Sequence, residues 1–166
     1  IHPVTFIAKS EISKWPIGGL LAKRSGTLFI ERGKRHAVRD VIHAAVKVLA
    51  TGRCVAVFPE GTTGPGDAPL HFHSNFVQPA IQAKVPLLPV SLQYFTPDGK
   101  FSSQPAFIGE QTLLENIKVL MNSKTGFVVQ LYIHAPINTD GRTRHELSDE
   151  AHEKIRALCG STSALV

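Results

Sequence analysis

Residues 37–58 constrain the fold more than any other stretch. Ala37, Val38, Val41, Ile42, Ala45, Val46 and Leu49 recur at the i, i+3, i+4 spacing of a helix with one buried stripe. Gly52 follows as a helix stop. Val55-Ala56-Val57-Phe58 is then a continuous apolar run, the pattern of a strand buried on both faces. A strand pattern at residues 27–30 precedes the helix, so the unit reads strand, helix, strand. Strands alternating with helices argue an α/β domain with a largely parallel sheet covered on both sides.

The rest of the chain extends that alternation. Residues 4–7 predict a strand, and residues 15–24 a short helix opened by Pro16. Ser74 is placed to cap a helix running to Lys84, and residues 87–94 read as a strand. Pro97-Asp98-Gly99 is turn chemistry. Residues 113–121 predict a helix and 127–133 a strand. Ser148-Asp149-Glu150 predicts the cap of a last helix ending near Leu158, with a frayed tail from Gly160. The expected fold class is α/β, a largely parallel or mixed central sheet flanked by helices on both faces. Residues 1–160 are expected to form a single domain, with 161–166 as a tail.

Charge is unevenly placed. Residues 1–53 hold ten Lys and Arg against three acidic residues, whereas residues 54–166 hold eight against ten. A basic amino-terminal third fits an anionic ligand, an anionic surface or an ordinary solvated face. Nucleic acid is a poor match, since the aromatics there, Phe6 and Phe29, sit in apolar strand patterns rather than between basic residues. No run of about 18 apolar residues occurs, so no bilayer-spanning helix is expected. The first residues lack the basic and apolar regions of a signal peptide, and Ile1 is not an initiator methionine, so the chain is expected to continue upstream. The two cysteines fit no metal spacing, and Cys54, inside a strand pattern, is expected to be a buried reduced thiol on the cytosolic side.

Parallel sheets bind ligands beyond the carboxyl ends of their strands. Two segments therefore matter. Glu31-Arg32-Gly33 follows the strand at 27–30, and Arg32 there suits either a bidentate grip on a phosphate or a salt bridge to a neighbouring acid. Pro59-Glu60-Gly61-Thr62-Thr63-Gly64-Pro65-Gly66 follows the strand at 55–58. Gly61 lets the backbone turn and present N–H groups to an oxyanion, and Glu60 suits a partner cation or a substrate hydroxyl. The simpler reading is a glycine-rich turn with an incidental acid. No Gly-Lys-Ser/Thr follows, so this is not a nucleotide-binding P-loop. His71 and His73 have the spacing of strand neighbours on one face, but no third metal ligand accompanies them. The segment around α-helical residues 15–24 carries Trp15, Ile17, Leu20 and Leu21 beside Lys14, Lys23 and Arg24, which fits a bilayer interface or a core packing face.

These segments together resemble a known family. Gly26-Thr27-Leu28-Phe29-Ile30-Glu31-Arg32-Gly33 resembles the second motif of the glycerolipid acyltransferases, which include the lysophosphatidic acid acyltransferases. Phe58-Pro59-Glu60-Gly61-Thr62 resembles the third and Val85-Pro86-Leu87-Leu88-Pro89-Val90 the fourth. Ala8-Lys9-Ser10-Glu11 and Trp15-Pro16-Ile17-Gly18 resemble the segment between the first and second motifs. The order and spacing match from Phe6 to Tyr94. The resemblance implies transfer of an acyl chain from acyl-CoA or acyl-ACP to a lysophosphatidic acid or related lyso-glycerophospholipid acceptor. It implies that Arg32, Glu60, Gly61 and Thr62 hold the acceptor phosphate, with Lys9 as a further candidate. It implies no metal or prosthetic group, and a site on the cytoplasmic face of a membrane, peripheral or anchored through an upstream segment. The family's first motif, His-x-x-x-x-Asp, supplies the general base. Only His145 has a carboxylate five positions on, Glu150, and it lies far from the expected place. The pair is therefore expected upstream of Ile1, and residues 1–166 alone are expected to be inactive. The alternative is a non-catalytic lipid-phosphate-binding module of the same fold.

Overall fold

The structure, a computed structural model, describes residues 3–31, 35–106, 120–122 and 126–161. Strand β1 (Val4–Lys9) leads through a 3-10 helix (Ser10–Lys14) and α1 (Gly18–Arg24) to β2 (Leu28–Ile30). Helix α2 (Arg35–Ala50) leads to β3 (Cys54–Ala56). A short helical turn (Ser74–Val77) runs into α3 (Gln78–Ala83), followed by β4 (Val90–Phe95), β5 (Val128–Ile133) and α4 (Arg144–Ser161). The chain gathers into two compact units. One comprises residues 1–59, 74–87 and 138–144, the other residues 60–73, 88–137 and 145–166.

The first unit is the parallel sheet that the helix–strand alternation predicts, in the order β2-β1-β3. Lys9 lies opposite Ile30, and Phe6 opposite Ala56. Helix α2 lays its stripe on this sheet: Val41 and Ala45 bury against Ile7, with Leu28, Ile30, Val55, Val57 and Phe76 packed around them. The stripe determines this, because a 16-residue helix with charged residues elsewhere on its surface gains most by removing those apolar groups from water. Gly52 closes the helix in the left-handed region at φ +77°, where a side chain would be strained, and its N–H donates to Leu49 at 3.0 Å. Strand β1 alternates, with Thr5 and Ile7 turned inward. The Thr5 hydroxyl, fully enclosed, accepts a hydrogen bond from Arg53 at 3.0 Å.

Three local expectations change in this unit. Helix α1 begins at Gly18, not at Trp15, because the chain first makes a 3-10 helix in which the Ser13 hydroxyl donates to the Ser10 carbonyl at 2.6 Å. Pro16 then occupies a turn. Strand β3 is short and forms the edge of this sheet, so its apolar run is not buried on both faces: Phe58 is 66% exposed. Its ring instead stacks on Phe6 with centroids 6.5 Å apart. Cys54, first residue of that edge strand, is an exposed free thiol rather than a buried one.

Helix α1 is seated by its smallest residues. Gly19 is buried, and a Cβ there would lie 2.4 Å from the Ser13 carbonyl oxygen and 2.8 Å from that of Ile12. Those are backbone atoms that cannot swing aside. Gly19→Ala is expected to destabilise the fold by about 1–3 kcal/mol, the usual cost of overpacking, read as a lowered Tm. An unchanged Tm would show that α1 shifts freely on its support.

In the second unit β4 and β5 pair antiparallel, from Val90 opposite Ile133 to Phe95 opposite Val128. The Ser91 hydroxyl and His134 Nε2 lie 2.8 Å apart. The predicted turn forms at Pro97-Asp98-Gly99, where Thr96 N–H donates to the Lys100 carbonyl at 2.8 Å and Gly99 sits at φ +85°. Helix α4 starts at Arg144, four residues before the expected cap, and runs past Leu158 to Ser161. Ser148 is therefore buried within the helix rather than capping it. Thr143-Arg144-His145-Glu146 has the spacing of a capping box, the sequence feature that marks the true start. Of the helix expected over 113–121, residues up to 119 lie outside the described residues, and Leu120 and Met121 are helical.

Candidate functional site

The parallel register fixes where chemistry can gather in the first unit. Because β1 and β2 run side by side with Lys9 opposite Ile30, both chains leave the sheet at the same end. Ser10 follows Lys9, and Glu31 follows Ile30, with Arg32 next in the chain. Strand β3 leaves at that end too, through Val57, Phe58 and Pro59. Lys9 is exposed there, as an anion-binding lysine must be. A cavity beside this end is lined by Ser10, Phe29, Glu31, Asp40, Val41 and Ala44. Arg32 itself lies outside the described residues.

Glu60, Gly61 and Thr62 open a loop of the second unit, and its geometry is built locally. Gly61 takes φ +65°, so the turn expected of it forms, in a conformation that a side chain resists. Glu60 is half-buried, and its Oε2 accepts a hydrogen bond from the Leu70 N–H at 3.0 Å. Gly64 is seated on Leu70, so close that a Cβ would lie 3.0 Å from the leucine Cγ. Glu60 thus ties the two ends of a ten-residue loop, a contact that no sequence spacing announces. Thr62 is exposed. Burial, and after it the negative charges of Asp67 and Glu60, hold the Cys159 thiol above its usual range, so it is no ready thiolate.

The structure brings Lys9 next to the start of the Glu31-Arg32 segment, and Glu60, Gly61 and Thr62 together by sequence. His71 and His73 meet edge to face with ring centroids 5.8 Å apart. No cluster of three or more potential metal ligands forms among the described residues. His145 and Glu150 share helix α4, where five positions place them about 140° apart around the axis. Glu150 pairs instead with Lys154, at 3.5 Å. A base oriented by its carboxylate needs a direct hydrogen bond, so these two do not form one.

Comparison with known proteins converges on one family. Residues 1–93 match the family described as Acyltransferase. The lyso-ornithine lipid O-acyltransferase of Pseudomonas aeruginosa is 35% identical over 164 residues, covering 99% of this chain and 62% of that protein. The 1-acyl-sn-glycerol-3-phosphate acyltransferase of Neisseria meningitidis serogroup B is 33% identical over 160 residues, covering 95% of this chain and 62% of that protein. The chain therefore spans about three fifths of the length of these curated relatives. The crystal structure of the 1-acyl-sn-glycerophosphate (LPA) acyltransferase PlsC from Thermotoga maritima superposes with a TM-score of 0.63 at 24% identity. That match covers 99% of this chain and 58% of the other, and it establishes the mixed α/β fold with its parallel sheet.

Proposed function

Because the chain belongs to the acyltransferase family, we propose that it forms the acceptor-binding part of an enzyme that acylates a lyso-lipid. The acyl donor is a thioester of coenzyme A or acyl carrier protein. A base deprotonates the acceptor hydroxyl, whose oxygen attacks the thioester carbonyl. The tetrahedral oxyanion collapses, a carbon–oxygen ester bond replaces the carbon–sulfur bond, and the thiol leaves with the proton. No metal or prosthetic group is needed for these steps, since the activated acyl group arrives on the donor. His145 and Glu150 do not form an oriented base–carboxylate pair, and the share of the work assigned here to this chain is positioning the acceptor.

The observation that carries this reading is the common exit of β1 and β2. It sets Lys9 beside the segment leading to Arg32, in a family-matched sequence. Lys9 at that strand end, with Arg32 two positions beyond Ile30 in the sequence, suits an acceptor phosphate, and anchoring the phosphate fixes the hydroxyl near the thioester carbon. We assign Arg32 and Lys9 to that phosphate, together with the turn Glu60-Gly61-Thr62.

A second acceptor fits as well, because the Pseudomonas relative is named for a lyso-ornithine lipid. Ornithine offers a carboxylate where the glycerophosphate offers a phosphate, and a guanidinium grips either. Assaying the full-length protein with acyl-CoA or acyl-ACP against lysophosphatidic acid and lyso-ornithine lipid in parallel separates the two. Acylation of lysophosphatidic acid supports the first reading, and acylation of only the ornithine lipid supports the second. Tight binding of either lipid without thiol release points to a non-catalytic module, and neither binding nor turnover removes the proposal.

A further inference from the structure

Helix α1 is amphipathic the wrong way round for a soluble protein. Its inward side is made of small residues, with Gly19 buried and Gly18 and Ala22 partly so. Its large apolar residues point outward: Ile17 is 75% exposed, Leu20 50% and Leu21 62%. These three stand at i, i+3 and i+4, so they form one continuous face. Ile17, Leu20 and Leu21 therefore do not pack into the core of the described residues. Trp15, the chain's one tryptophan, is 37% exposed just ahead of the helix.

The charges along residues 12–30 are all of one sign. Lys14, Lys23 and Arg24 are exposed, and no acidic residue occurs between Ile12 and Ile30. On the helix repeat Arg24 continues the row begun by Ile17 and Leu21, and Lys23 borders it. An apolar strip fringed by cations matches a bilayer whose acyl region lies beneath anionic headgroups. A soluble protein partner would need acids opposite three cations as well as an apolar strip, whereas an anionic lipid surface supplies both at once.

The location supports the same partner. The 3-10 helix ahead of α1 starts at Ser10, directly after Lys9, and packs against both β1 and β2. The segment leading into the outward face therefore starts at the strand ends where the acceptor phosphate is assigned.

We propose that Trp15, Ile17, Leu20 and Leu21, with Lys14, Lys23 and Arg24, form a docking surface for anionic phospholipid bilayers. The surface lets a lyso-lipid reach the strand ends from the bilayer without crossing water. That last role rests on the function proposed above; the docking itself does not.

Trp15 is a built-in reporter. Residues 1–166 are mixed with vesicles of phosphatidylcholine containing phosphatidylglycerol, and with vesicles of phosphatidylcholine alone. On the anionic vesicles the tryptophan emission is expected to shift to the blue and to be quenched by lipids brominated on their acyl chains. Partitioning is expected to fall at least tenfold on phosphatidylcholine alone, and by a similar factor at high salt. The triple variant Ile17→Ser, Leu20→Ser, Leu21→Ser is expected to bind at least tenfold more weakly with an unchanged Tm, since its side chains lie on the surface. The charge variant Lys14→Glu, Lys23→Glu, Arg24→Glu is expected to abolish the preference for anionic lipid. Binding that leaves the emission untouched, or that survives both variants, overturns the proposal. So does a blue shift that depends on protein concentration without vesicles, which marks a second copy of the chain as the occupant. In the full-length protein, turnover of a monomeric short-chain acceptor is expected to be unchanged in both variants. If vesicle binding behaves as described while no acceptor is acylated, the docking surface stands and the proposed reaction fails.

Discussion

Arg32→Ala is expected to raise the acceptor KM of the full-length enzyme by about ten- to a hundredfold. The proposed bond joins a guanidinium to a phosphate, and charge-assisted hydrogen bonds of this kind contribute roughly 1.5–3 kcal/mol. Each 1.4 kcal/mol is about a factor of ten in binding. On this assignment Arg32 serves the acceptor and not the donor thioester, so the donor KM is expected to stay within about twofold. Arg32→Lys is expected to recover only part of the loss, because an ammonium restores the charge without the paired donors. A rise in the donor KM with an unchanged acceptor KM overturns the assignment. The pattern also distinguishes acceptors: if an ornithine lipid is the true one, the same variants weaken its binding and leave lysophosphatidic acid without effect.

Much of the fold was readable because its patterns are long. The stripe from Ala37 to Leu49 identified α2, and Gly52 marked its end within two residues. The parallel sheet followed from the alternation of elements and not from any single strand. What failed was short or contextual. Val55-Ala56-Val57-Phe58 looks doubly buried, but periodicity cannot report that β3 lies at the edge of its sheet, where Phe58 stacks on Phe6 in the open. The same blindness misplaced Cys54. At α4, two capping patterns competed, and Thr143-Arg144-His145-Glu146 prevailed over Ser148-Asp149-Glu150. Composition alone left the apolar residues of α1 open between core and interface. Only the placement of Gly19 against the Ser13 carbonyl reveals which side faces out.

The gathering of two strand ends was legible for the same reason. Lys9 ends β1 and Glu31 follows β2, and parallel pairing brings those two ends together. The Gly61 turn was legible because a glycine after Pro59 at a strand end has few other uses. The Glu60–Leu70 bond was not, since a side chain that reaches a backbone N–H ten residues away leaves no pattern.

That bond sharpens the test of Glu60. Its Oε2 holds Leu70, which leaves the other oxygen and the negative charge for a second task. Glu60→Gln keeps the shape and an acceptor oxygen for Leu70, yet it replaces the second oxygen with a donor and removes the charge. Were closing the loop its whole role, the glutamine would serve nearly as well. If Glu60 also orders the acceptor site, acceptor kcat/KM is expected to fall at least about tenfold with the Tm unchanged, the loss of one charge-assisted contact. Glu60→Ala removes both functions. It is expected to match the glutamine variant in activity and to lose a further 1–3 kcal/mol or so of stability, because the Leu70 N–H is left without its acceptor. Steady-state kinetics and thermal melts on the same preparations decide between the two roles. Full activity in Glu60→Gln confines Glu60 to the loop, and a collapsed Tm in that variant means that its charge, and not its shape, holds the fold.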